Sequence, residues 1–229
     1  MKSTFLKPII LTVILVIISN TANSQQNEWK THQIKLSPLR SINLFSPGLE
    51  LSYELNYGQF STQLSVAYLT DIFNVVARGS NFEGSRLNLE EKYFLKTYSN
   101  LKRRSYLSAE IGYNQIDMTV YSEFIPSEYL NESWQIQEEN VYWDYCDINR
   151  KSVIGNVKYG MQFFVNHFTL DLALGIGIAH QNVKHFNKRN SEDKLTRTEP
   201  EDILSPLFYN EGKYFIFNFP LSFKLGVAF

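Results

Sequence analysis

The sequence predicts an all-β chain, an eight-stranded antiparallel transmembrane β-barrel of up-and-down topology. Three observations predict it. Apolar and polar residues alternate with a period of two, and several of the alternating segments reach about ten residues, the length a tilted strand needs to cross a bilayer. Short and long connections alternate from end to end. Phe and Tyr, 17 and 14 of 229 residues, are abundant in the way β-structure favours.

The first 24 residues stand apart from this pattern. Lys2 and Lys7 flank the start of an apolar run from Ile9 to Ile18, broken only by Thr12, and Ala22-Asn23-Ser24 offers a small-x-small cleavage site. This is the pattern of a secretory signal peptide over 1–24, which leaves a single barrel domain over 25–229. Ten helical residues rise about 15 Å, against the roughly 30 Å of hydrocarbon that an anchor must span. Gln25 stands where a lipoprotein would carry cysteine. Cys146 is the only cysteine, so no internal disulfide is expected.

Eight strands follow. The first, 32–38, is weak. In 47–57, Leu49, Leu51, Tyr53 and Leu55 alternate with Glu50, Ser52, Glu54 and Asn56. The third, 59–70, carries Phe60, Leu64, Val66 and Tyr68 on one face. The fourth, 85–98, carries Leu87, Leu89, Tyr93 and Leu95, interrupted by Glu91. The fifth and sixth, 105–118 and 151–165, repeat the alternation. The seventh is the clearest: Leu170, Leu172, Leu174, Ile176 and Ile178 share a face opposite Asp171, Ala173, Gly175 and Gly177. The last, 215–229, sets Phe215, Phe217, Phe219, Leu221, Phe223, Leu225, Val227 and Phe229 on one side. The short connections lie at 57–59, 99–104 and 166–167. The longer ones are 39–46, 71–84, 119–148 and 183–212. Short turns at one rim and long loops at the other are the pattern of a membrane barrel.

A soluble sandwich or a lipocalin-like periplasmic barrel, binding an apolar ligand, also alternates in this way. It would line its interior with the Leu170–Ile178 face. Here the opposite face is rich in Gly, Ala, Ser and charge, which suits the cramped interior of a small barrel. Projected inward, the alternation predicts an ion-pair network of Lys35, Glu50, Glu54, Glu90, Lys92, Lys96, Glu110, Lys158, Asp171 and Lys224. Five acids and five bases in one interior must pair, because buried charges left alone cost several kcal/mol each. An interior filled in this way excludes a general porin.

Charge and motif exclude other classes. The chain has 22 Lys and Arg against 23 Asp and Glu. Loss of Lys2 and Lys7 with the leader leaves 20 against 23, so no basic excess supports nucleic-acid binding. Four scattered histidines without HxH or HExxH spacing give no metal signal, and no cofactor motif is present. Stretch 119–148 combines seven acids with seven aromatics and no Lys or Arg. It is expected to be an external loop, with Trp134, Trp143, Tyr145, Glu138 and Glu139 as candidate binding residues for a cationic or sugar-containing partner, or for divalent cations bridging lipopolysaccharide. The basic start of 183–212, from Lys184 to Arg197, is expected to pair with it.

The closing run Phe217–Phe229, with Phe219, Phe223 and Phe229 on one face, resembles the terminal recognition signal of bacterial outer-membrane proteins. Ile34-Lys35-Leu36-Ser37-Pro38-Leu39 and Leu49-Glu50-Leu51-Ser52-Tyr53-Glu54 resemble the small outer-membrane β-barrel proteins common in Bacteroidota, similar in architecture to the transmembrane domain of outer membrane protein A. The resemblance implies export to a Gram-negative outer membrane, contact with its lipid and lipopolysaccharide, and handling by the barrel-assembly machinery. It implies no substrate. Some small outer-membrane barrels modify lipid A, and those resembling deacylases use a lipid-facing His-x-Ser pair. His180-Gln181-Asn182 lacks the serine, and Asn182 cannot be a nucleophile. The reading is a non-enzymatic barrel with a structural or surface-binding role, set against a lipid-modifying enzyme.

Overall fold

The computed structural model describes residues 31–38, 48–70, 81–98, 102–129, 141–198 and 210–229. The leader, Trp134, Glu138, Glu139 and the side chains of Lys96 and Arg197 lie outside the described residues. Ten strands are present among those described: β1 (His32–Leu36), β2 (Gly48–Tyr57), β3 (Phe60–Thr70), β4 (Glu83–Tyr98), β5 (Arg103–Ile125), β6 (Tyr142–Val165), β7 (Phe168–Phe186), β8 (Lys194–Thr198), β9 (Gly212–Asn218) and β10 (Leu221–Ala228).

They form a closed antiparallel barrel with eight wall positions. Strands β1 to β7 pair in chain order. β9 and β10 together make the eighth wall on β7, and β10 closes onto β1 through Ile34↔Val227 and Leu36↔Leu225. The eighth wall is broken at Pro220, whose missing N–H cannot join a ladder. The Gly175 amide, bonded to the Pro220 carbonyl at 3.0 Å, holds the break against β7. One ladder runs from Leu36 through Leu51, Val66, Leu87, Tyr113 and Val153 to His180. The other way round, Leu36 reaches β7 through Leu225 at Leu170. The offset along β7, from 170 to 180, is ten residues. That stagger tilts the strands, and eight strands leave an interior that side chains fill.

The short connections are tight. β2 and β3 are joined by Gly58-Gln59, with Gly58 at φ 71°, where a side chain would be strained. β6 and β7 are joined by Asn166-His167, with Asn166 at φ 57°, and asparagine tolerates that left-handed conformation.

Two expected loops contain strand at their described ends. β5 and β6 stay paired from Arg103↔Phe163 to Phe124↔Tyr142, so 119–125 and 142–148 belong to the sheet. β7 runs on to Phe186, and β8 pairs with β5 at Ser122↔Thr198 and Phe124↔Leu195. β8 takes up the edge of β5 that β4 leaves at Glu83↔Asp117. The physical reason is a change of polarity without a change of period. In Leu107–Tyr113 the odd residues are apolar and face out. From Gln115 to Glu123 the odd residues are Gln115, Asp117, Thr119, Tyr121 and Glu123, and the buried even ones are Ile116, Met118, Val120 and, beyond Ser122, Phe124.

Candidate functional site

The molecule has two interiors stacked along its axis. In the lower one the outward face is apolar: Leu174 is 65% exposed, Ile176 67% and Phe217 81%. The Leu170–Ile178 face therefore lies on the outside of the wall and does not line the barrel interior, against the lipocalin-like alternative. Aromatic rings gather at the short-turn rim, with Tyr57 on Phe60 at 6.2 Å and Phe60 on Tyr93 at 5.2 Å between centroids. Glu91, the acid that interrupts this face, accepts hydrogen bonds from the hydroxyls of Tyr57 and Thr62.

The lower interior is filled by charge. Lys35 and Lys92 each bridge Glu54 and Asp171, at 2.6–2.7 Å, all four side chains being at most 2% exposed. Lys92 also donates to Gln63 Oε1 at 3.0 Å. Tyr106 donates to Asp171 Oδ1 at 2.5 Å. Its ring has room because residue 160 is glycine; a Cβ there would overlap it. Arg104 stacks on Phe94 at 3.5 Å from the ring centroid and donates to Gln162 and Asn56. Above this square, Glu90 and Glu110 face each other across β4 and β5, a repulsive pair that Lys158 bridges at 2.9 Å to each. Lys224 lies 3.3 Å from Glu50. Nine of the ten residues projected inward from the alternation thus lie in this interior. Arg104 adds a base beside them, and Arg86 and Arg150 are further buried bases along the wall. Arg104 falls within the stretch expected to be a short connection, although its even position, in phase with Ser108 and Glu110, marks it as inward.

The upper interior is largely apolar, with Arg150, Ser122, Gln181 and His185 buried beside its hydrophobic side chains. Leu69, Phe82, Ile116, Met118, Val120, Phe124, Cys146, Ile148 and Val183 form one buried cluster. Burial pushes the Cys146 thiol up to about 12, which leaves it an unreactive part of that cluster. Outside it the wall is polar: Asn149 donates to Asp117, and Thr119 donates to Asp147 at 2.7 Å. The two distal stretches meet through hydrogen bonds and a ring contact, and the described residues do not show the expected pairing of acidic with basic side chains. Asp193 accepts from the Tyr142 hydroxyl at 2.5 Å and the Ser127 amide at 2.9 Å, and Arg189 lies over the Tyr142 ring. Nearby, Lys188 donates to Glu211 at 3.1 Å. Burial opposes the charged form of Glu211, yet the Lys188 and His185 hydrogen bonds hold it below the usual carboxylate range.

The remaining candidates are placed as follows. His180 faces outward at the upper edge of the apolar wall, 4.9 Å from the Phe215 ring. Among the described residues no hydroxyl is hydrogen-bonded to it. His32 and Phe229 lock the β1–β10 closure. Their backbones exchange hydrogen bonds of 2.9 and 3.2 Å, their rings stack at 5.8 Å, and His32 Nδ1 lies 2.6 Å from the Tyr53 hydroxyl. Phe219 and Phe223 sit on the outer wall, on either side of the Pro220 break. Trp143 and Tyr145 lie on the outer face of the distal sheet, where Tyr121 meets both: Trp143 at 5.4 Å, nearly parallel, and Tyr145 at 5.0 Å.

An all-β closed barrel with an apolar exterior and a charged interior is the class this geometry defines. Compared with known proteins, the chain matches no family model and no curated protein. A solved structure, described as a major outer membrane protein from Thermus thermophilus, aligns over 89% of this chain and 100% of that one, at 11% identity and a TM-score of 0.37.

Proposed function

We propose that the protein resides in a bacterial outer membrane as a closed barrel that conducts nothing and holds a folded β-sheet lobe above the bilayer. Its role is structural or surface-binding. One observation carries this reading: the wall reverses its polarity between the Tyr113–Val153–His180 row and the Gln115–Lys151–Asn182 row. Below that line apolar side chains face out, as lipid demands, and charge fills the inside. Above it polar side chains face out, as water demands, and the inside is largely hydrophobic. A protein in one solvent has no use for such a reversal. Lipid and lipopolysaccharide are then the partners of the lower wall, and the barrel-assembly machinery the receptor of Phe229 and its neighbours. The signal peptide would supply export.

Fractionation of cells and protease treatment of intact cells test this. The expected result is a heat-modifiable, membrane-bound core after cleavage between 126 and 141 or between 199 and 211. In planar bilayers the purified barrel is expected to show no steady conductance. Recovery of the protein in the soluble periplasmic fraction would overturn the membrane reading, and stable ion channels would overturn the closed plug.

A further inference from the structure

We propose that the outer face of the β5–β6 extension binds a neutral oligosaccharide, on a platform made by Tyr121, Trp143 and Tyr145. The proposal deepens the surface-binding reading above and rests on it. Three features single out this face. The first is position. Tyr121 and Tyr145 are a directly opposed pair, eight residues along β5 and β6 beyond Tyr113 and Val153. Eight residues of strand span about 26 Å, which at a tilt of roughly 40° is about 20 Å of height above the apolar wall. The intervening outward residues are Gln115, Asp117 and Thr119 on β5 and Lys151, Asn149 and Asp147 on β6. These rings are therefore not a membrane girdle. They stand in water, with Tyr145 60% and Tyr121 38% exposed.

The second feature is ring geometry. Tyr121 and Trp143 lie 28° from parallel and Tyr121 and Tyr145 49°. A cage for a quaternary ammonium needs ring faces converging on one point. Here Trp143 is stacked on Tyr121 and Tyr145 is tilted against it, so the three rings enclose no common space for a cation. The negative face of an aromatic ring attracts the positively polarised C–H groups on the flat side of a pyranose. Cross-strand stacking accounts for the rings touching one another. It does not account for the exposure of Tyr145 and Tyr121, with Trp143 half-buried beside them, and rigid aromatic side chains lose little entropy on binding.

The third feature is charge. Glu123 stands directly opposite Trp143, and Asp147 is one row below Tyr145. Thr119 and Asn187 fix Asp147 in place, and its oxygens retain lone pairs to accept sugar hydroxyls. On the other side of β5, Arg197 of β8 stands opposite Glu123, and Lys184 of β7 stands opposite Asn149. With acids and bases interspersed at these rows, the face has no excess positive charge to hold a sulfated or phosphorylated sugar, which leaves neutral ones.

Calorimetric titration of the full barrel, in a polyoxyethylene detergent free of sugar, tests the proposal. The probes are maltoheptaose and cellohexaose, with tetramethylammonium chloride and a sulfated oligosaccharide as controls. At least one neutral oligosaccharide is expected to bind saturably, with affinity at least tenfold weaker in Tyr145→Ala and in Tyr121→Ala. Both variants should remain heat-modifiable, which shows that the barrel is intact. Binding unaltered by either substitution, tetramethylammonium or the sulfated sugar binding in preference, or no neutral sugar binding at all would each overturn it. A soluble, periplasmic protein would overturn the surface reading instead, and that result comes from fractionation rather than titration.

Discussion

At the residue scale, Asp171 is the keystone of the charged plug. It receives Lys35, Lys92 and Tyr106, so its loss leaves two ammonium groups sharing Glu54 alone. Removing one partner of a buried pair costs about 3–5 kcal/mol. Asp171→Ala is therefore expected to lower the stability of the refolded barrel by that order, read from the urea midpoint by tryptophan fluorescence and gel mobility. A loss under about 1 kcal/mol, the scale of a solvated pair, would mean that water reaches the plug. Much of this plug was legible from the sequence, because period-two alternation assigns a side to every residue once one strand is oriented. What alternation cannot supply is which charges meet. Lys35 and Asp171 are 136 residues apart in sequence and touch only because β10 lies between β1 and β7.

At the element scale, β7 carries both environments on one outward face. Leu174 lies within the apolar wall and Asn182 beyond it. Leu174→Arg is expected to cost about 2–4 kcal/mol if it faces the bilayer mid-plane, and Asn182→Arg about zero. Equal costs in lipid vesicles would refute the position of the boundary. β10 makes a second case. Phe229→Ala keeps the backbone bonds to His32 and removes only the ring. The heat-modifiable fraction in cells is expected to fall several-fold, while barrels refolded in vitro lose about 1 kcal/mol or less, the worth of one exposed ring contact. That split would separate recognition during assembly from closure of the wall. An undiminished fraction in cells would count against the recognition role.

The distal halves of β5, β6 and β7 were the part least visible in the sequence. Their alternation is intact, but the apolar residues move from odd to even positions after Asn114. A search for one continuous apolar face therefore ends the strand there. Seven acids and seven aromatics in 119–148 also resemble a loop by composition. The signal was present in Ile116, Met118, Val120 and Phe124, and again in Cys146 and Ile148. Reading it requires allowing a strand to pass from one solvent to another. β8 gave less warning: five residues between polar runs form a strand only because β5 offers an unpaired edge.

At the scale of the whole molecule, the barrel has charge within its apolar belt and hydrocarbon within its polar crown. Both interiors are filled by buried side chains among the described residues, as the narrow bore of eight strands favours. The reversal between the Tyr113 and Gln115 rows has one more result, a mechanical one. Sinking by a single row, about 5 Å of height, would draw Gln115, Lys151, Asn182 and Lys213 into the edge of the hydrocarbon. Rising by the same amount would strip lipid from the rings at the opposite rim. In the membrane proposed above the two penalties oppose each other, so the barrel would float at one draught, as a hull does at its waterline. Tyr121, Trp143 and Tyr145 are thereby kept at a constant altitude over the bilayer, available to molecules that reach that layer and withheld from those that lie flat beneath it.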